Sequence, residues 1–231
     1  MAANMLDSML YRNAYSTEEM RTIFDDRTII QNFLDIEKAL AQGEMGIIPK
    51  EAAEEICKKG FVENLDIGEI EAGIVKVGHS LVPILRNFQK KCGNGYGEYI
   101  HLGATTQDIL DTGFMMSVKR GFEAVYRDAL EAEAAVLDLV DRYADTVMAG
   151  RTHGQQAIPI TFGYKAAVWA SELRRDIERM EDCRKRCFVG QLSGAVGSMA
   201  GFGENGREIS RRVIEALDLD VPDISWHVSR D

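Results

Sequence analysis

Apolar residues recur at three- and four-residue spacings along most of the chain, whereas the strict alternation typical of half-buried strands is rare. The clearest case runs from about residue 106 to residue 149. Its apolar positions follow a heptad pattern: Met115, Val118, Phe122, Val125, Ala129, Ala132, Val136, Leu139 and Tyr143. A helix of about 40 residues is roughly 60 Å long, which exceeds the width of a small domain. The sequence therefore predicts an all-α protein whose longest helix packs in a long bundle.

Further helices are predicted on both sides of this segment. A second long pattern follows Pro159 and is expected to lie antiparallel to the first; it comprises Phe162, Ala166, Trp169, Leu173, Ile177 and Met180. Asp66 and Glu69 form a capping signature for a helix that runs into Leu85 and that Pro83 should bend or end. The best internal boundary lies near residues 96–101. We predict a smaller N-terminal helical domain over residues 1–97 and the first part of a long-helix bundle domain over residues 98–231.

Charge and composition narrow the function classes. The chain has 231 residues, and its 37 acidic and 27 basic side chains give a net charge of −10. Such a chain has no overall attraction for nucleic acid or anionic membranes, so neither is expected as a partner. No apolar stretch is long enough for a membrane span, and residues 1–11 do not have the pattern of a signal peptide. Four cysteines are too few to stabilise a domain of this size through disulfides, which favours a cytoplasmic location.

Residues 101–112, HLGATTQDILDT, are expected to form a loop that enters the long helix. Thr105 or Thr106 can serve as its N-cap, and capping alone would account for part of this polarity. The same residues also suit an anion, because free backbone N–H groups at a helix start lie beside two hydroxyls, the amide of Gln107 and the imidazole of His101. Both interpretations stay open from the residues alone.

Residues 149–159 join the two long helices with the sequence AGRTHGQQAIP. A connecting loop needs glycine and proline, but it does not need a cation, an imidazole and two amides together. Arg151 is suited to pair with a carboxylate of a ligand or of the protein, and His153 to transfer a proton to a leaving group. The pattern favours a functional site over a simple connection.

Two other patterns carry less weight. Residues 201–206, GFGENG, match the dinucleotide-binding fingerprint, but that motif requires a preceding buried strand, and the surrounding residues are predicted to be helical. Cys183 and Cys187 could share one face of a helix, but no histidine lies nearby in sequence to complete a metal site. We predict neither a dinucleotide site nor a metal site.

Three segments in this order resemble the aspartase/fumarase superfamily, in the branch that holds adenylosuccinate lyase and 3-carboxy-cis,cis-muconate cycloisomerase. They are HLGATTQDILDT (101–112), AGRTHGQQAIPITFGYKAAVW (149–169) and GQLSGAVGS (190–198). The resemblance implies a homotetramer built on long helices, with each active site assembled from three subunits. It also implies anti elimination through an aci-carboxylate intermediate, without a metal or organic cofactor.

The resemblance also implies roles for individual residues. By motif position, His153 resembles the general acid, and His79 resembles a histidine placed near that acid. The remaining positions resemble residues that bind a dicarboxylate substrate: Tyr15, His101, Thr105, Thr106, Gln107, Arg151, Thr152 and Gln191. The superfamily's mobile loop of the form SSxMPxKxN, which carries the serine base, has no counterpart in this chain. We therefore expect a piece of a longer protein that has no turnover by itself.

The substrate is less sharply indicated. Adenylosuccinate lyases tend to carry an Arg-Tyr pair that contacts the nucleotide phosphate, whereas here Ala14 precedes Tyr15. His79 and Gly154 favour the adenylosuccinate type, which cleaves a C–N bond in purine biosynthesis and releases fumarate. The form of the first motif and the ending Trp226 to Asp231 resemble the cycloisomerase. A cycloisomerase, another dicarboxylate lyase, a crystallin-like descendant and a non-catalytic helical assembly module stay as alternatives to the adenylosuccinate type.

Overall fold

The computed structural model describes residues 8–43 and 46–229, which leaves Arg230 and Asp231, at the end of the last motif above, outside the described residues. Within these ranges the helices are α1 Arg12–Tyr15, α2 Glu18–Ile23, α3 Asp26–Gly43, α4 Lys50–Lys59, α5 Ile67–Val77, α6 Leu81–Lys91, α7 Thr106–Arg142, α8 Phe162–Cys187 and α9 Gly206–Ala216. Short 3-10 helices cover Val62–Asn64, Tyr96–Tyr99 and Ala200–Asn205. Two strands, β1 Val147–Thr152 and β2 Gln155–Thr161, form an antiparallel hairpin. The predicted helical class is confirmed.

The hairpin corrects the loop expected between the two long helices. α7 ends at Arg142 and not near residue 149, and residues 147–161 pair in a register that joins Val147 to Thr161 and Thr152 to Gln155. The turn residues His153 and Gly154 both have positive φ values, 48° and 72°, as a two-residue hairpin turn of type I′ requires. Most of the hairpin side chains are exposed, so no buried face marks these strands in the sequence.

The predicted helix from residue 66 to residue 85 is in fact two helices. The side chain of Asp66 caps α5 by accepting from the Glu69 N–H, as predicted. α5 then ends at Gly78, which has a φ of 67°, a conformation that costs glycine little. α6 begins at Leu81, so Pro83 lies in its first turn, where proline neither breaks a hydrogen bond nor bends the helix.

The chain divides into two compact units, residues 1–120 with 188–231 and residues 121–187. The first unit has an apolar core to which α3, α4, α6 and the start of α7 all contribute. Its fully buried side chains include Leu34, Ile56, Leu81, Phe88 and Ile109. The domain boundary predicted after residue 97 concerns the whole protein and stays a prediction.

The second unit has a thinner core and several exposed apolar side chains. Ala166 and Ile177 of α8 are fully buried, whereas Val125, Leu137 and Trp169 are 46%, 47% and 40% exposed. The carboxylate of Glu133 accepts two hydrogen bonds from the guanidinium of Arg174, which joins α7 to α8 within this unit. Across the described ranges, no helix is both long enough and apolar enough to cross a membrane.

Candidate active site

The start of α7 is tied to the glycine-rich loop by one buried carboxylate. Asp108 is fully buried, and its Oδ2 accepts from the N–H groups of Thr105 at 3.0 Å and Gly194 at 2.9 Å. Its Oδ1 accepts from the Ser193 N–H at 2.9 Å and from the Gln191 amide at 3.4 Å. A buried carboxylate needs this number of donors to offset its desolvation. Asp108 therefore brings the first and third motifs together.

Gln191 lies in the same network and is 3% exposed. Its amide donates to Ser193 and to the Ser225 hydroxyl at 3.1 Å, while its Oε1 accepts from the Trp226 N–H at 3.0 Å. Its backbone N–H and C=O both bond to the hydroxyl of Thr112. The hydrogen-bonding groups of this side chain are thus engaged with the protein, and its contact with substrate stays a prediction.

His79 and Thr106 lie close together at the starts of two helices. Nδ1 of His79 accepts from the N–H groups of Leu81 and Val82, each at 3.2 Å, and so caps α6. Because Nδ1 acts as acceptor, the ring proton belongs on Nε2. Nε2 lies 3.5 Å from the hydroxyl of Thr106, and Thr106 is the first residue of α7. The helix cap therefore fixes the tautomer and aims the Nε2–H at the predicted carboxylate-binding residues.

His101 is held by a buried acid from another helix. Its Nδ1 lies 2.7 Å from Oε1 of Glu37, and its backbone N–H donates to Oε2 of the same carboxylate at 2.8 Å. Burial favours a lower pKa for His101, but the hydrogen bond and charge of Glu37, together with the charge of Asp108, raise the pKa above its ordinary value. This environment favours an imidazolium at the entrance to α7, which suits an anionic ligand.

A second histidine network lies one turn further along α7, and sequence analysis did not select it. Asp111 accepts from the Gln107 amide at 2.8 Å and lies 2.9 Å from Nδ1 of His227. The side chain of Asp111 is 18% exposed and that of His227 is 44% exposed. Asp111 thus positions both a predicted ligand and an imidazole. The sequence offered His227 in the ending Trp226 to Asp231, but its pairing with Asp111 could not be predicted because the two residues are 116 positions apart.

The hairpin presents the remaining predicted residues. Arg151, Thr152 and His153 are exposed at the end of β1 and in the turn, all within the second unit. The positive φ of His153 places this imidazole at the tip of the turn. Tyr15, at the end of α1 in the first unit, is 60% exposed and lies 6.2 Å from the ring of Tyr11. The exposure of these side chains leaves them available to a ligand or to another part of the protein.

The start of α7 is chemically suited to a carboxylate. Thr105, Thr106 and Gln107 are partly exposed at the N-terminal end of a 37-residue helix, where the backbone dipole favours negative charge. His79 and His101 border the same turn. No cluster of three or more His, Cys, Asp or Glu side chains in residues 8–43 and 46–229 is arranged to hold a metal ion. The GFGENG segment forms a 3-10 helix that leads into α9, without the preceding strand that a dinucleotide site needs.

Comparison with known proteins identifies the family. The model of the lyase family matches residues 12–227, so the chain belongs to this family of the aspartase/fumarase superfamily, as the motifs predicted. The chain is 43% identical, over all of its length, to N-acetyl-S-(2-succino)cysteine lyase of Enterococcus italicus, and covers 51% of that protein. It is 39% identical, over 93% of its length, to adenylosuccinate lyase of Methanocaldococcus jannaschii, of which it covers 47%.

A solved structure shares the fold. The 3-carboxy-cis,cis-muconate lactonizing enzyme of Pseudomonas putida superposes with a TM-score of 0.90 at 32% identity, covering 97% of this chain and 52% of that one. The chain therefore spans about half the length of the relatives it matches. The names of these relatives differ in substrate.

Proposed function

We propose that the full-length gene product is a lyase that cleaves a succinyl adduct by anti elimination and releases fumarate. The observation that carries this proposal is the lyase family match over residues 12–227, together with the carboxylate-binding chemistry at the start of α7. Two relatives named N-acetyl-S-(2-succino)cysteine lyase match the whole chain at 43% and 40% identity. These support a succinyl thioether as the first substrate to test.

Adenylosuccinate, the C–N substrate that the motifs favoured, is the second candidate. Relatives named adenylosuccinate lyase match 89–93% of the chain at 36–41% identity. Against this choice stands Ala14, which occupies the place of the arginine expected to contact a nucleotide phosphate beside Tyr15. The two substrates share a succinyl group and differ in the atom that leaves.

The proposed chemistry assigns a role to each part of the site. A base from outside these residues removes the proton beside the substrate carboxylate, and the electron pair passes to the carboxylate as the aci-carboxylate forms. Thr105, Thr106 and Gln107 bind that carboxylate, since hydroxyls and a helix start stabilise developing negative charge. His153 then donates a proton to the departing sulfur or nitrogen as that bond breaks. The products are fumarate and a thiol or an amine.

The other predicted residues support binding in this proposal. His79 supplies a hydrogen bond and His101 positive potential beside the helix start, and Tyr15 contacts the part of the substrate that leaves. Arg151 and Thr152 bind the second carboxylate, and Gln191 contributes to substrate binding as the resemblance implies. A cytoplasmic homotetramer is part of the proposal. The partly exposed apolar side chains of Val125 and Leu137 on α7 support an oligomer in which further helices cover them.

The experiment measures fumarate release by the full-length gene product with N-acetyl-S-(2-succino)cysteine and adenylosuccinate in parallel. A third reaction with 3-carboxy-cis,cis-muconate, assayed for lactone, tests the cycloisomerase alternative. The expected result is fumarate from the thioether at a higher kcat/KM than from adenylosuccinate. Lactone formation without fumarate from either adduct would show that the site catalyses cycloisomerisation. No turnover of any of the three substrates would favour a non-catalytic assembly module.

Two variants test the acid. His153→Gln should lower turnover by about 10²–10⁴-fold where the acid is needed. The loss should be larger for the nitrogen adduct, because a thiolate with a pKa of about 8.5 leaves without protonation far more readily than an amide-like anion does. Lys58→Gln, an exposed change at the end of α4, serves as the control and should leave both rates unchanged.

A further inference from the structure

Two thiols meet at the end of α8, away from the residues assigned above. Cys183 and Cys187 are four residues apart, and α8 ends at Cys187. Their Sγ atoms are 3.0 Å apart, which is a thiol–thiol contact and not a covalent bond. Cys183 is half-buried and Cys187 is exposed. The helix therefore presents a reduced dithiol to solvent in this chain.

A metal does not explain this pair. Structural zinc sites use four protein ligands and catalytic sites use three. No group of three candidate ligands exists among the residues that the structure describes, so these thiols have no third partner of the required type. The acidic side chains nearest in sequence form hydrogen bonds with other residues, since Asp182 accepts from Lys185 and Glu181 accepts from Tyr126.

We infer that Cys183 and Cys187 form an oxidisable dithiol that closes to an intramolecular disulfide by exchange with a low-molecular-weight disulfide such as oxidised glutathione. The Cys183 thiolate attacks one sulfur of the small disulfide, forms a mixed disulfide and releases one thiolate. The Cys187 thiolate then attacks Sγ of Cys183 and releases the second thiolate. Two protein thiols are oxidised, one small disulfide is reduced to two thiols, and the two protein protons pass to those thiols.

The order of attack follows from the contact between the two sulfurs. The hydrogen bond to Cys183 is the main cause that raises the pKa of Cys187, with burial contributing next. The 3.0 Å contact places Cys187 within reach of a mixed disulfide on Cys183, so Cys187 is positioned to displace the second small thiolate.

Helix geometry decides which cysteine moves. Cβ atoms four residues apart on a helix are about 5–6 Å apart, whereas a disulfide needs about 3.5–4.5 Å. Arg184 is fixed to α7, because its guanidinium bonds to both carboxylate oxygens of Glu123 at 2.7 and 3.0 Å and lies 4.8 Å from the Tyr126 ring. Cys183 is thus held in the helix, and Cys187, its last residue, must move as the final turn unwinds. Such a strained disulfide should be easily reduced.

The sequence between the cysteines allows a direct test. Trypsin cleaves after Arg184, Lys185 and Arg186, so digestion places Cys183 in the peptide 180–184 and Cys187 in the peptide 187–207. A peptide that joins 180–184 to 187–207 can form only through a disulfide. The full-length gene product is incubated over a series of reduced-to-oxidised glutathione ratios, alkylated and analysed by mass spectrometry.

We expect the joined peptide to become the main form of Cys183 at oxidising ratios and to disappear with dithiothreitol. Cys92 is the internal control, because burial and the charge of Glu55 raise its pKa to about 11 and leave little thiolate. Cys187→Ser should stop the reaction at a glutathione adduct on Cys183. The inference is overturned if no joined peptide forms at the most oxidising ratio, if both cysteines carry only separate glutathione adducts, or if Cys92 reacts to the same extent.

Discussion

Replacement of Asp108 by asparagine tests the network that holds the start of α7 against the glycine-rich loop. Each carboxylate oxygen accepts two hydrogen bonds, with Thr105 and Gly194 on Oδ2 and Ser193 and Gln191 on Oδ1. Asparagine keeps one oxygen and presents an NH₂ group to the other pair of donors. Whichever way the amide is oriented, two buried donors lose their acceptor.

The loss of stability can be worked from these contacts. A hydrogen bond to a charged group contributes about 1.5–3 kcal/mol, and one bond on the Oδ1 side is long at 3.4 Å. Two lost bonds therefore lower the free energy of unfolding by about 3 kcal/mol. Asp111→Asn is the matched control on the same helix, where loss of a partly exposed contact with His227 should cost less than about 1 kcal/mol.

The assay is urea unfolding of the full-length gene product, followed by helical circular dichroism at fixed pH. Asp108→Asn should lower the midpoint clearly, and Asp111→Asn only slightly. Equal midpoints for the two variants would refute the reasoning, because they would show that the four donors around Asp108 do not depend on its charge.

Three further predictions concern the other histidines and one glycine. His101 has a raised pKa in the folded protein. Its contribution to the free energy of unfolding is therefore complete below the ordinary pKa of 6.5 and is lost as pH rises through the folded-state pKa. Glu37→Gln should abolish this dependence on pH when unfolding is measured at several pH values. His79→Ala should lower the free energy of unfolding by about 1 kcal/mol through loss of the α6 cap, whereas His79→Asn should keep most of that stability. Both variants should lower fumarate release. A fully active His79→Asn variant would contradict a functional contact between His79 and the start of α7. Gly103→Ala brings a Cβ to within 2.6 Å of Phe202 and should lower the free energy of unfolding by about 2 kcal/mol or more. Gly154 has a similar φ but open space around it, so Gly154→Ala should cost less in the same unfolding assay.

The sequence predicts the helices well where apolar residues recur at three- and four-residue spacings. The long helices α7 and α8 follow from this periodicity, and Asp66 marks a helix start through its own side chain. The hairpin was not predicted, because its side chains are exposed and its turn is set by positive φ values at His153 and Gly154. A segment without a buried face has no alternation of apolar and polar residues to detect.

The candidate site was only partly predictable for a different reason. Thr105 and Thr106 are adjacent in sequence and their position at a helix start follows from local rules. The burial of Asp108 and the pairing of Asp111 with His227 depend on segments more than 80 residues away. Only the tertiary fold brings those donors together, so the motifs led to predicted ligands but not to the residues that position them.

The most direct test of the central claim is proton NMR of the full-length gene product with N-acetyl-S-(2-succino)cysteine, following the vinyl signal of fumarate. The account predicts that this signal grows with the unchanged protein, that His153→Gln slows its growth, and that the same change slows fumarate release from adenylosuccinate by about 10²-fold or more. Fumarate release at the same rate in both proteins would contradict the acid assignment, and no fumarate from this adduct or from adenylosuccinate would contradict the proposed lyase activity.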